Sequence, residues 1–436
     1  MNKKTKLPLK YQILFGVGGM GENIAFQAVT AWLFFFWAGQ GNLKNALLAP
    51  ALLGLLLGLG RFIEAFDDPI IGHLSDITRS PLGRRFPYIF FGAPFLGLTF
   101  FLLWTPPQTQ PLFLAIYFFV MLQLFFLFYT IVASPYEGIL PEIATTSEDR
   151  VSTSAWRVVF GVLGAAVGLI GSSLLIEKWG YKPMGIILGI ATMAVFWISI
   201  IGIQKKLKPH TKEHAISMWQ ACIATLKNSQ FIIFSIAFIL FTLGLNLLTL
   251  VVPYYVAVIV RLSEGWVAFF MGALLISMIL SLPIYFKFAK SHGKKWTYIR
   301  SLFGLAVIFP LLAAVGIIPI GTVFIQLTVI VILIGLALAG QFVFPNAILA
   351  DIIDYDATKT KMRREGMYYG MQNTLIKISF AAANIIFGFT LSVFGSTIDA
   401  PFGIRLIGPI AGITTFIGFI IFVKWYTLPD HVKCKI

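Results

Sequence analysis

The chain is 436 residues long, with 58% hydrophobic and only 12% charged residues and a formal net charge of +15. A soluble domain carries about 25% charged residues, so this chain cannot cover itself against water, and lipid is its expected solvent. The basic excess follows particular loops, as anionic headgroups would favour, and nucleic acid is excluded as its cause.

A spanning helix needs roughly 20 apolar residues. Apolar runs between charged or turn-rich breaks predict twelve, over 12–38, 47–75, 87–105, 111–138, 155–176, 184–204, 231–258, 264–287, 297–316, 321–352, 367–394 and 404–428. A membrane barrel would instead alternate in segments of about ten residues, and no such pattern is present. The first run follows Lys3, Lys4, Lys6 and Lys10 with no small-residue cleavage site, so it is expected to be retained rather than removed as a signal peptide. It carries Glu22, close to its end, and Asn23. The second holds Arg61, Glu64, Asp67 and Asp68; the fourth holds Thr130 and Glu137; the fifth has Arg157 near its predicted start. The stretch 205–230 contains Pro209, many charges and an amphipathic patch around Ile216, Trp219 and Ile223. It is read as a linker between an N-terminal six-helix bundle, 1–204, and a C-terminal one, 231–436. The eleventh run carries Gln372, Asn373 and Lys377.

Basic residues fall mostly on one side. They lie in the N-terminus, the C-terminal tail and alternate loops such as Arg79/Arg84/Arg85 and Lys287/Lys290/Lys294/Lys295, while the opposite loops hold Lys44, Lys178, Lys182, Arg261 and Arg405. The positive-inside rule then puts both termini in the cytoplasm of a multi-pass protein of the inner or plasma membrane.

The two halves echo each other. Gly83-Arg84-Arg85 is matched by Gly293-Lys294-Lys295, and Ile139-Leu-Pro-Glu142-Ile by Ile348-Leu-Ala-Asp351-Ile. Both matches share an offset of about 210 positions, as a parallel duplication of six helices requires. Such a duplication is the arrangement of the major facilitator halves, in which substrate is held between the two bundles. Glu142 and Asp351, at helix ends, are expected to pair with Arg and Lys of the preceding loops.

Ionisable residues inside apolar spans are costly and mark functional sites by default. Arg61, Glu64 and Asp68 share one helical face, because their spacing is i,i+3 and i,i+4. Carboxylates one turn apart in low dielectric must protonate, pair with Arg61 or bind a cation. The spans hold five acids (Glu22, Glu64, Asp67, Asp68, Glu137) against three bases (Arg61, Arg157, Lys377), which leaves room for a coupling cation. Static interhelical ion pairs are the competing reading of these groups, and snorkelling is the competing reading of Arg157. Cys222 and Cys434 give neither a disulfide framework nor metal spacing. The histidines (His73, His210, His214, His292, His431) lie at helix ends, loops or the tail. With no nucleotide loop, metal-ligand cluster or nucleophile elbow, the chain is expected to be a transporter without a cofactor. An integral-membrane enzyme and a non-transporting sensor are the rivals from other classes.

The run from Arg61 to Pro69 (Arg-Phe-Ile-Glu-Ala-Phe-Asp-Asp-Pro), followed by Gly72 and Thr78-Arg-Ser-Pro-Leu-Gly83-Arg, resembles the glycoside–pentoside–hexuronide:cation symporters. So do Ala350-Asp-Ile-Ile-Asp-Tyr355 with Arg363, Glu365 and Gln372 to Lys377, and Tyr129-Thr130 with Pro135 and Arg157. The resemblance spans nearly the whole chain. It implies an all-α integral membrane protein of the major facilitator fold, with twelve transmembrane helices in two six-helix halves. It also implies a symporter that couples Na⁺ or H⁺ to a small glycoside, pentoside or hexuronide by alternating access. The family's cation site falls on Glu64, Asp67, Asp68 and Thr130, with Glu64 and Asp68 as ligands of an alkali cation. Substrate binding or coupling falls on Asn23, Arg61, Glu137, Arg157, Gln372, Asn373 and Lys377. The carboxylates that hold the galactoside in melibiose permease, a member of the family, correspond to Asn23 and Ala133, and its aromatic platform to Glu137. A polar or acidic solute is therefore expected rather than a neutral galactoside. The same motifs occur in lysophosphatidylcholine symporters, which keeps an amphiphile as the alternative substrate.

Overall fold

The computed structural model describes residues 6–144, 146–207, 225–360 and 365–428. Most of the linker with its amphipathic patch, both cysteines, His210, His214, His431 and Arg363 lie outside the described residues.

The described residues form twelve helices. The first six are α1 Leu9–Trp37, α2 Pro50–Ile77, α3 Phe86–Leu102, α4 Pro111–Ile143, α5 from Ser147 to Trp179 and α6 Tyr181–Ile203. The second six are α7 Ser229–Tyr254, α8 Trp266–His292, α9 Lys294–Ile308, α10 Val323–Thr360, α11 Glu365–Phe394 and α12 Phe402–Trp425. Single π-helical stretches, Val167–Gly171 and Tyr255–Val260, lie within α5 and continue α7. Helices α4 to α12 supply nine segments long and apolar enough to cross a membrane. The apolar α3 is shorter, and α2 is diluted by its charges.

Helix ends follow local chemistry. Proline opens α2, α3 and α4, where its missing N–H costs nothing. Asn228 caps α7 by accepting from the Gln230 and Phe231 N–H groups. The start of α5 corrects the expectation from hydropathy. Thr146 accepts from the Asp149 N–H at 3.1 Å, and Glu148 and Asp149 sit in the positive first turn. The helix therefore begins at Ser147 rather than near 155, and Arg157 lies well inside it. Glu22 likewise stands in the middle of α1, not near its end.

The chain divides into two compact units, the first containing α1 to α6 and the second almost all of α7 to α12. In the first, α1 packs on α5 and α6, and α3 on α4 and α6. In the second, α7 packs on α11 and α12, and α9 on α10 and α12. These pairings correspond one to one under the repeat read from the sequence. So do smaller features. Gly83 and Gly293 both take positive φ, +104° and +89°, which a side chain would oppose. Arg84 donates to Glu142 at 2.8 Å, Arg85 reaches the same carboxylate at 2.9 Å, and Lys294 pairs with Asp351. The loop-stabilising role expected of both acids is thus seen in each unit. Trp37 Nε1 donates to the Leu103 carbonyl at 3.0 Å and Tyr255 Oη to the Leu312 carbonyl at 2.9 Å, fastening equivalent helix ends.

Candidate functional site

The first unit buries charge at two places. On α2, Arg61 and Glu64 form an ion pair at 2.9 Å, with side chains only 5% and 1% exposed. The spacing is i,i+3, so the pair lies within one helix rather than between two. The guanidinium also faces two rings, Phe26 of α1 at 4.7 Å and Phe126 of α4 at 4.2 Å. A delocalised, weakly hydrated cation suits such a site. Asp67 and Asp68 follow on the same helix and are half-buried.

Thr130 lies one turn beyond Phe126 on α4 and is 1% exposed, yet its hydroxyl has no hydrogen-bond partner among the described residues. Several membrane threonines here donate to the carbonyl four residues back, at 2.7–3.1 Å, as Thr30, Thr99, Thr242, Thr249, Thr328 and Thr415 do, whereas Thr153 and Thr192, like Thr130, are buried without a partner among the described residues. That local bond is the usual resting place of a helical hydroxyl. Thr130 forgoes it, so a buried hydroxyl is left available on the helix that packs on α2.

The second place joins α1, α4 and α5. Arg157 donates to both oxygens of Glu22, at 2.9–3.1 Å, and to Glu137 Oε1 at 2.5 Å. The snorkelling alternative is thereby overturned: Arg157 is half-buried and held by two carboxylates. Close approach makes the bridge possible. A Cβ on Gly19 would stand 2.6 Å from the Arg157 carbonyl oxygen and 2.9 Å from its Cγ. Asn23, half-buried, spends one N–H on the Gly19 carbonyl at 3.0 Å. Glu137 has a side chain 52% exposed against 9% for Glu22. The triad therefore runs from a buried acid to an accessible one and carries one net negative charge. Tyr129 links the two places: its hydroxyl donates to the Glu22 carbonyl at 3.1 Å, and its ring lies 5.3 Å from Phe26.

The structure thus joins Glu22, Arg157 and Glu137 directly, and Arg61 and Glu64 directly, within one unit. Gln372, Asn373 and Lys377 lie on α11 of the second unit. Gln372 is buried, Lys377 half-buried and Asn373 exposed. Asn373 and Lys377 are one turn apart on a shared face. Phe26 and Phe126 were not singled out from sequence; among 42 phenylalanines nothing marks two as cation-facing. Among the described residues no group of three or more His, Cys, Asp or Glu side chains is placed to hold a metal ion.

Residues 14–423 match the family described as MFS/sugar transport protein. The chain belongs to that family. It is a multi-pass membrane transporter of the major facilitator superfamily and not an enzyme. Among relatives, the isoprimeverose transporter of Lactiplantibacillus pentosus is 22% identical, over 90% of this chain and 82% of its own. The inner membrane symporter YicJ of Escherichia coli strain K12 is 25% identical, over 98% of this chain and 94% of its own. Among solved structures, the nucleoside transporter NupG superposes with a TM-score of 0.65 at 15% identity, covering 97% of this chain and 99% of that one. This likeness confirms the fold across the full length. The family is one of cation-coupled symporters.

Proposed function

We propose that this transporter is a symporter that couples Na⁺ or H⁺ to a small, hydroxyl-rich solute of the glycoside, pentoside or hexuronide class, by alternating access. The observation that carries the coupling is on α2, where Glu64, Asp67 and Asp68 accompany one arginine, next to a helix that offers the unpartnered Thr130 hydroxyl. Hard oxygen donors in a low-dielectric site suit an alkali cation or a proton. Glu64 and Asp68 carry the charge that the cation balances, and Asp67 and Thr130 complete or tune the site.

The substrate side rests on the triad. Arg157 is held by two glutamates, which offset its charge within the triad. The accessible Glu137 carboxylate is an acceptor suited to sugar hydroxyls, and Asn23 of α1 is assigned with it to substrate binding or coupling. In the second unit, Gln372, Asn373 and Lys377 of α11 are assigned to substrate binding or coupling, as the family's pattern implies.

Uptake into proteoliposomes under imposed Na⁺ or H⁺ gradients tests the coupling. Wild type is expected to concentrate solute, whereas Asp68→Asn equilibrates it without accumulation. Normal accumulation by both Asp68→Asn and Glu64→Gln overturns the assignment. We also assign both termini to the cytoplasm from the basic asymmetry. Impermeant thiol labelling from outside intact cells, at a cysteine introduced near residue 206, should fail.

A further inference from the structure

The cation reading above places Glu64 among the ligands, yet Glu64 already holds a cation. The Arg61 guanidinium sits on Glu64 Oε2 at 2.9 Å. It is kept there by burial and by the faces of Phe26 and Phe126, 4.7 and 4.2 Å away on two other helices. Arginine cannot shed its proton in a protein, so this positive charge is permanent. It is also tethered, three residues from the carboxylate it neutralises.

We propose that Arg61 is an intramolecular competitor of the coupling cation at Glu64, and that it sets the affinity and selectivity of the site. This inference rests on the cation reading of α2 and deepens it. Two consequences follow from charge and geometry. A transported cation cannot take Glu64 Oε2 at full strength while the guanidinium holds it, so the ion must draw more on Asp67, Asp68 and Thr130. Arg61 also offsets the charge that Glu64 would otherwise present to an incoming ion. Cation affinity is held down in consequence, which favours release of the ion after transport. The aromatic cage is part of the device. It holds the guanidinium against the carboxylate in a place where water cannot replace either partner.

The test is Na⁺ titration of the purified full-length protein by calorimetry near neutral pH, with choline holding ionic strength constant. Arg61→Gln keeps polarity and much of the bulk but removes the charge. It should bind Na⁺ at least about tenfold more tightly than wild type, since an opposing unit charge is lost from a poorly screened site. The gain should vanish in Arg61→Gln/Glu64→Gln, because the competition is for Glu64. Phe126→Leu removes one ring and keeps every charge, so it should give a smaller gain. It also decides the matter if Arg61→Gln does not fold. Unchanged, weaker or absent Na⁺ binding in both Arg61→Gln and Phe126→Leu overturns the proposal. Asp68→Asn, run in parallel, separates the two ideas. Lost binding there, with no gain in the Arg61 and Phe126 variants, leaves the cation reading standing and this proposal refuted. Undiminished binding in Asp68→Asn refutes the cation reading itself.

Discussion

The two units share one scheme of helix pairings but fill their interiors differently. The first buries Arg61 with Glu64 and Arg157 with Glu22. The buried polar side chains inside the second are mostly amides and hydroxyls, among them Asn246, Gln341, Gln372, Ser301 and Asn384; Asp356 is buried only towards the end of α10. Several satisfy themselves locally. Asn246 and Asn384 donate to the Thr242 and Phe380 carbonyls, each at 2.9 Å, and Gln341 donates to Ser301 Oγ at 3.0 Å. Yet both units keep the loop ion pair, Arg84 with Glu142 and Lys294 with Asp351. What duplication preserved in both is structural: it fastens a turn. Among the described residues, the second unit reaches the same helix arrangement with fewer buried ionisable groups than the first. From that asymmetry we expect the larger effects of removing charge to fall in the first unit.

The comparison breaks most readily at Arg157. Arg157→Met leaves two carboxylates facing each other without a counter-charge, so it should abolish uptake and cost about 3–5 kcal/mol of stability. Thermal unfolding in detergent measures the second effect. Adding Glu22→Gln and Glu137→Gln to that variant should restore stability but not uptake, whereas restored uptake would make the triad structural. Gln341→Leu in the second unit should cost only about 1 kcal/mol by the same measurement, as a neutral bond does.

Next in size is the helix contact that allows the bridge. Gly19→Leu must push α1 from α5, since even a Cβ would crowd Arg157. Uptake should fall at least about tenfold, with the protein still present in the membrane, because the displaced helix takes Glu22 out of hydrogen-bond reach of Arg157. Unaltered uptake would show that the spacing is not critical.

Glu137→Gln is milder. It keeps the shape and one acceptor but loses the accessible charge. The half-saturating solute concentration should rise about tenfold, as loss of one charged hydrogen bond implies, while cation affinity stays unchanged. A change in cation affinity with no change for solute would move Glu137 to the coupling site.

The smallest effects belong to the loop pairs. Arg84→Ala and Lys294→Ala should each cost only about 1 kcal/mol, because Arg85 still holds Glu142 at 2.9 Å and the Asp351 side chain keeps 16% of its surface open to water. A loss of transport in one but not the other, at equal stability, would show that the shared feature is not merely structural.

The sequence by itself determined the solvent, the helices and the duplication. Apolar length is a local property, so the twelve spans could be read without neighbours, and the Gly83/Gly293 and Glu142/Asp351 echoes needed only their common offset. It also placed Arg61 and Glu64 on one face, because a helix fixes where residues three apart point. The start of α5 was equally legible in Thr146 and Asp149, but hydropathy is blind to a polar first turn. Tertiary structure alone decided the rest. Glu22 and Arg157 are 135 positions apart, and only the glycine-mediated approach of α1 to α5 makes them partners. Phe26 and Phe126 became a cage for Arg61 only when α1 and α4 converged on α2. The Thr130 hydroxyl, like those of Thr153 and Thr192, could be recognised as unspent only once the surrounding helices were in place. Each of these depends on which faces of distant helices meet, and in a chain this uniformly apolar the pattern of hydrophobicity does not encode that choice.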